Sequence, residues 1–169
     1  NGEEHIKHIA RKVIEQKGDR VYTFTRERIK WHKEQGHIVI AISGSPLELV
    51  KEMSEKYHMD DYRGTIYKLD ENGKYNGEVV PMWDSDSKQK AINELVEKHD
   101  IDLSKSYAYG DTSGDYTMFK SVGCPFAINP TKELLGKIKN DESLKDKINL
   151  IVERKDVTYK LDMNSIEII

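Results

Sequence analysis

Two stretches of this chain place residues able to handle a phosphate group next to glycines that let backbone approach closely. The first is Tyr107-Ala108-Tyr109-Gly110-Asp111-Thr112-Ser113-Gly114-Asp115, an apolar run that stops at a glycine and is followed by two aspartates four positions apart. Gly110 permits a tight turn and sets the Asp111 carboxylate just beyond a strand end. A hard cation such as Mg²⁺ takes a few carboxylate oxygens and completes its sphere with water and substrate phosphate, so Asp111 suits it. A plainer reading stands beside this one: Asp111 and Asp115 cap a helix over residues 115–121. The second stretch is Ser43-Gly44-Ser45-Pro46, directly after the β-branched run 37–42. Ser45 with Glu48 has the spacing of a capping box and Pro46 that of a first helical residue. A helix starting there would offer unpaired backbone N–H groups, with the Ser43 hydroxyl, to an anion. A third residue is Lys90, in the first turn of a helix over 88–98, where a cation opposes the helix dipole. Its placement implies a task elsewhere, although a solvated surface lysine would look the same.

The elements that must position these residues follow from periodicity. Ile6, Ile9, Ala10, Val13 and Ile14 recur at helical spacing up to Gly18, which reads as an amphipathic helix over 3–17. A second helix is expected over 25–35, ending at Gly36. The run His37-Ile38-Val39-Ile40-Ala41-Ile42 lacks alternation and reads as a central strand covered on both faces. Residues 65–80 alternate around Glu71-Asn72-Gly73, a hairpin signal. Further strands are expected over 106–110, 125–128, 148–153 and 157–161, with a helix begun by Asn129 as N-cap and Pro130 as first residue. Strand and helix therefore alternate through the middle of the chain. That alternation means an α/β fold with a doubly wound, mostly parallel sheet. In such a sheet the loops after residues 42 and 109 leave from one edge, so Ser43, Gly44 and Asp111 would meet there.

Composition narrows the possibilities. The 169 residues support one domain of ordinary size, and a net charge of −3 with both signs interspersed gives no basic face for nucleic acid. Cys124 is the single cysteine, so there is no internal disulfide, and it reads as a small buried hydrophobe in a reducing compartment. The six histidines are scattered beside lysine and glutamate and read as solvated surface. No apolar run reaches membrane-spanning length and the start, Asn-Gly-Glu-Glu, is unlike a signal peptide, so a cytoplasmic protein without a membrane partner is expected. No Gly-rich dinucleotide or Walker loop follows any strand, which argues against a nucleotide-binding domain.

Several of these stretches together resemble the haloacid dehalogenase superfamily, subfamily IB, the phosphoserine-phosphatase-like hydrolases. IVIAISGSPLELV resembles its second motif, the lysine in SKQKAINEL its third, and YAYGDTSGDYTMF followed by VGCPFAINP its fourth. The resemblance covers roughly residues 21–139. It implies a Rossmannoid core and a Mg²⁺-dependent phosphatase that passes phosphate from a small phosphorylated metabolite to an aspartate and then to water. By motif match Ser43 and Gly44 would bind phosphate, Lys90 would hold the charge of nucleophile and phosphate, Asp111 would ligate Mg²⁺, and Asp115 would support Lys90 or the metal. Gly114 stands where phosphoserine phosphatases usually carry asparagine, and Gly-Ser-Pro replaces their Gly-Gly after Ser43, which sets phosphoserine itself in question. The first motif, a strand ending in Asp-x-Asp that carries the nucleophile, is not found. Residues 1–20 resemble the tail of a helical cap, leaving 21–169 as the core, and Asp84-x-Asp86 only imitates the motif ahead of a helix. The nucleophile aspartate is therefore expected in an absent N-terminal segment; the alternative is a phosphate-binding or regulatory domain that does not turn over.

Overall fold

A computed structural model describes the backbone of residues 9–13 and the whole of residues 22–169. In chain order the elements are β1 (Ile9–Val13), α1 (Thr23–Glu34), β2 (Ile38–Pro46), α2 (Leu47–Lys56), β3 (Asp61–Leu69), β4 (Tyr75–Val80) and α3 (Ser85–His99). They continue with β5 (Tyr107–Gly110), α4 (Tyr116–Ser121), β6 (Cys124–Ile128), α5 (Lys132–Lys139), α6 (Glu142–Lys145), β7 (Asn149–Glu153) and β8 (Thr158–Leu161). These strands form one sheet in the order β4-β3-β2-β1-β5-β6-β7-β8. Its middle, from β3 to β7, is parallel, and the antiparallel partners β4 and β8 flank it. The fold is thus the doubly wound α/β arrangement that the alternation of elements demands.

β2 shows why its sequence has no alternation. Ile40 and Ile42 face α3, α4 and α5, where they pack with Ala91, Ile92, Leu95, Met118, Phe119, Leu134 and Ile138. Val39 faces the other way, with Ile29 of α1 and with Tyr109, and Ala41 packs with Val50 and Met53 of α2. A strand apolar on both faces is what two covering helical layers require. Each such side chain taken fully out of water contributes about 1.5–3 kcal/mol.

Several local expectations are corrected. Over Ile9–Val13 the chain is a strand paired with β2 on one side and β5 on the other, Ala10 matching Val39 and Tyr107. Five residues in that slot satisfy the inward edges of both neighbours, and this tertiary demand overrides a helical pattern of modest strength. The rest of the helix expected over 3–17, and the boundary at residue 20, lie outside the described residues. β1 therefore holds the sheet centre, and its sequence Ile-Ala-Arg-Lys-Val carries no carboxylate. Ser45 forms no capping box: α2 starts at Leu47 after Pro46 with no side-chain cap, and the Ser45 N–H donates to Ser43 Oγ at 3.1 Å. Thr131 rather than Asn129 caps α5, accepting from Leu134 N–H at 3.2 Å, while Asn129 has φ +45° and accepts from Glu153 N–H. Two histidines are not solvated surface. His32 is buried, with Nε2 2.7 Å from the Tyr109 hydroxyl and Nδ1 2.8 Å from His37 Nδ1, and His99 is bonded to Asp61. Cys124 is a half-buried free thiol whose pKa burial pushes up. No described helix is long and apolar enough to cross a membrane.

Candidate phosphate and metal site

Because β2 and β5 run parallel on either side of β1, their C-terminal ends open on one sheet edge, where the strand order reverses. Ser43 and Gly44 end the apolar part of β2, and Asp111 follows Gly110 at the end of β5. Ser43 and Asp111 are both buried. Among the described residues the buried cation at this edge is Lys88. Its Nζ lies 2.7 Å from Asp115 Oδ1, with side-chain exposures of 3% and 0%.

Lys90, named above for this role, does not join the site: it is exposed and lines a separate groove. The reason is helix geometry. Asp84 caps α3 by accepting from Ser87 N–H at 2.7 Å, so the helix begins at Ser85. Lys88 then falls three, four and seven residues before Ala91, Ile92 and Leu95, on the buried stripe. Two positions further on, about 200° around the helix, Lys90 faces away. The stripe itself was the signal in the sequence. Asp84 also loses any resemblance to a nucleophile, being a capping residue.

Asp115 stands at the N-cap of α4 but gives that helix no side-chain cap, so the capping reading of its carboxylate does not hold. Its Oδ2 accepts from the backbone N–H of Asp111 at 3.0 Å and of Thr112 at 3.1 Å, closing the turn that carries Asp111, while Oδ1 holds Lys88. The segment Met82–Lys88 ties the strand ends together. A Cβ on Gly44 would stand 2.9 Å from Trp83 Cβ, and one on Gly114 would collide with the Trp83 carbonyl oxygen and lie 3.5 Å from Lys88 Nζ. Likewise a Cβ on Gly110 would be 2.7 Å from Asp115 Cγ. Glycine is therefore required at these three positions by close approach. Ser85 Oγ donates to the Ser113 carbonyl at 3.2 Å, and Asp111's own carbonyl accepts from Thr131 N–H at 2.9 Å. Buried Thr65 went unnoticed in the sequence. Its Oγ1 donates to the Gly44 carbonyl at 2.8 Å and accepts from Met82 N–H at 3.1 Å, pinning the loop after β2. Nothing in a lone threonine at a hairpin's start announces that contact.

For a metal, the site offers the Asp111 carboxylate, a hard oxygen donor on a turn fixed by Gly110 and Asp115. That donor chemistry fits Mg²⁺, which needs only one or two protein carboxylates beside water and phosphate. Asp115 is already engaged by Lys88 and two N–H groups.

A fold with this sheet order and this edge defines a class, and comparison with known proteins identifies it. The model of the haloacid dehalogenase-like hydrolases matches residues 2–120. The chain belongs to that family. It is 33% identical over 114 residues, 68% of its length, to the inhibition of morphological differentiation protein of Streptomyces azureus, and spans 41% of that relative. It is 26% identical over 132 residues to a phosphoserine phosphatase of Methanocaldococcus jannaschii, 78% of this chain and 57% of the other. A solved phosphoserine phosphatase in a phospho-aspartyl intermediate analogue state superposes with TM-score 0.60 at 25% identity, over 78% of this chain and 58% of that one. The chain thus spans 41%, 57% and 58% of the length of these three proteins.

Proposed function

We propose that this chain is the core of a Mg²⁺-dependent phosphatase that hydrolyses a small phosphomonoester through an aspartyl-phosphate intermediate. The observation that carries the reading is the buried Lys88–Asp115 pair at the edge where Ser43 and Asp111 emerge. The Ser43 hydroxyl and the Gly44 backbone would hold the phosphate, with Thr65 fixing the loop. Lys88, in place of Lys90, would set a positive charge beside the transferring oxygens, and Asp115 would keep its ammonium in place. Asp111 would ligate the metal, which when bound neutralises phosphate charge and orients the phosphoryl group. Positioning and charge compensation are most of what phosphoryl transfer asks of a protein. None of the described residues is assigned as the carboxylate that would attack phosphorus.

Two measurements test the reading. Inorganic phosphate with Mg²⁺ is expected to raise the Tm of this chain more than either alone, and Asp111→Asn to remove the Mg²⁺-dependent part. Release of phosphate from small phosphomonoesters by the protein as its gene encodes it should require Mg²⁺ and vanish in Asp111→Asn and Lys88→Met. Co-stabilisation without any turnover would leave a phosphate-binding domain; the absence of both effects would overturn the reading.

A further inference from the structure

The Met82–Lys88 segment carries one large side chain that the phosphate chemistry does not use. Trp83 lies between Met82, which is buried and whose N–H is held by Thr65 Oγ1 at 3.1 Å, and Asp84, the N-cap of α3. Its backbone is also fixed from both sides of the edge. A Cβ placed on Gly44, in the loop after β2, would come within 2.9 Å of Trp83 Cβ and 3.3 Å of its Cα. One placed on Gly114, in the turn after β5, would be 3.3 Å from the Trp83 carbonyl carbon. The stem of the tryptophan therefore packs against the glycine proposed to hold phosphate, and its carbonyl against the turn that leads to Asp115.

Trp83 is nevertheless 48% exposed, whereas Ser43, Lys88, Asp111 and Asp115 at the same edge are buried. Single exposed apolar side chains are ordinary on a protein surface. This one differs in being an aromatic side chain set on an anchored backbone next to a buried polar site. Aromatic surface beside a few placed polar groups is the usual composition of a small-molecule site. Because the chain on either side is already held, a ring that stacks on the indole orders little backbone that was free, and ordering is where much contact energy is otherwise lost.

We propose that Trp83 is a specificity-determining residue of this edge, a stacking platform that selects phosphomonoesters whose alcohol carries a flat apolar ring close to the ester oxygen; the assignment rests on the phosphatase reading. The phosphate sits at Ser43 and Gly44, and the ring lies on the indole. The test compares benzyl phosphate with ethyl phosphate, two primary alkyl esters that differ in the ring, as substrates of the protein as its gene encodes it, with Mg²⁺. kcat/KM is expected to be about tenfold higher for benzyl phosphate, the worth of one stacked ring. Trp83→Ala, which keeps the Cβ that packs against Gly44, should bring that ratio close to one, and Trp83→Phe should retain most of it. A purely structural role for the indole would lower both substrates alike and leave the ratio in place. In parallel, benzylphosphonate and ethylphosphonate, which have no ester bond to hydrolyse, are titrated calorimetrically into this chain with Mg²⁺ at a pH where both are dianions. The same tenfold preference is expected, and the same loss of it in Trp83→Ala. Turnover of both esters with a ratio near one, or a ratio that survives Trp83→Ala, would overturn the Trp83 assignment and leave the phosphatase reading standing. A phosphonate preference without release of phosphate from either ester would do the reverse. Neither binding nor turnover would overturn both.

Discussion

Replacing Lys88 by methionine tests the central assignment at the level of stability, without any assay of turnover. The ammonium and its partner carboxylate are both shut off from solvent and 2.7 Å apart. Removing one member of such a pair leaves the other as an uncompensated buried charge, a loss of about 3–5 kcal/mol. Two backbone N–H groups still reach Asp115 Oδ2, which places the expected loss at the lower end, about 3 kcal/mol. With a urea slope of roughly 2 kcal/mol/M the unfolding midpoint should fall by about 1.5 M. Lys90→Met is the control, since an exposed lysine outside any ion pair among the described residues should move stability by no more than about 0.5 kcal/mol. A double variant, Lys88→Met with Asp115→Asn, removes both charges while an amide oxygen can still accept from Asp111 and Thr112. It should be more stable than Lys88→Met alone, which marks the loss as electrostatic. The reasoning is refuted if Lys90→Met costs as much as Lys88→Met, or if the double variant is the least stable of the set.

Three further outcomes follow from named contacts. Thr65→Val strands the Gly44 carbonyl and the Met82 N–H in the interior and should cost about 2–3 kcal/mol by chemical denaturation, with weaker phosphate binding because the loop after β2 loses its tie. Gly110→Ala forces a methyl group against the Asp115 carboxylate, so a loss of about 1–3 kcal/mol is expected, whereas Gly136→Ala, where nothing lies within 4 Å, should be neutral or stabilising. Asp61 governs the acid limb. Burial alone would push its pKa up, but the bonds from Lys98, His99 and the Tyr62 N–H, with the charge of Arg63, hold it well below the carboxylate range. A depressed pKa adds stability that is complete above the unfolded value near ~4 and is lost as pH falls toward the folded one. The stability curves of the wild type and Asp61→Asn should therefore differ at neutral pH and converge in acid; parallel curves down to pH ~2 would contradict the assignment.

The strands and helices that carry the edge were readable because burial leaves an unambiguous pattern. Ile38 to Ile42 has to be covered on both sides, and Asn72-Gly73 turns a hairpin whose Gly73 has φ +77°. Capping was harder to read. Ser45 and Asn129 have the right types in the right places, yet Ser45 only donates its N–H to the neighbouring Ser43 Oγ, and the Asn129 side-chain oxygen accepts from Glu153, a contact that arises only once distant strands are neighbours. Lys90 was expected at the edge where Lys88 lies, because the two are chemically alike and only the phase of the helix separates them. That phase depends on Asp84 starting α3 at Ser85, one turn ahead of where the apolar pattern begins. The strand at Ile9–Val13 escaped notice for another reason. Its five residues fit either period, and what makes them a strand is the pair of open edges on β2 and β5.

The parallel centre of the sheet has a consequence for how this protein acquires its pocket. Parallel neighbours cannot be joined by a tight turn, and the pairing of Ala10 with Tyr107 spans most of the chain. Ser43, Lys88 and Asp111 come from segments that meet only when those remote pairings have formed. Such long loop closures make folding slow and place the pocket among the last features to assemble. A bound anion then grips contacts that the folding transition state lacks. Phosphate should slow unfolding and leave the refolding rate nearly untouched, so that the ligand acts as a brake on departure from the native state.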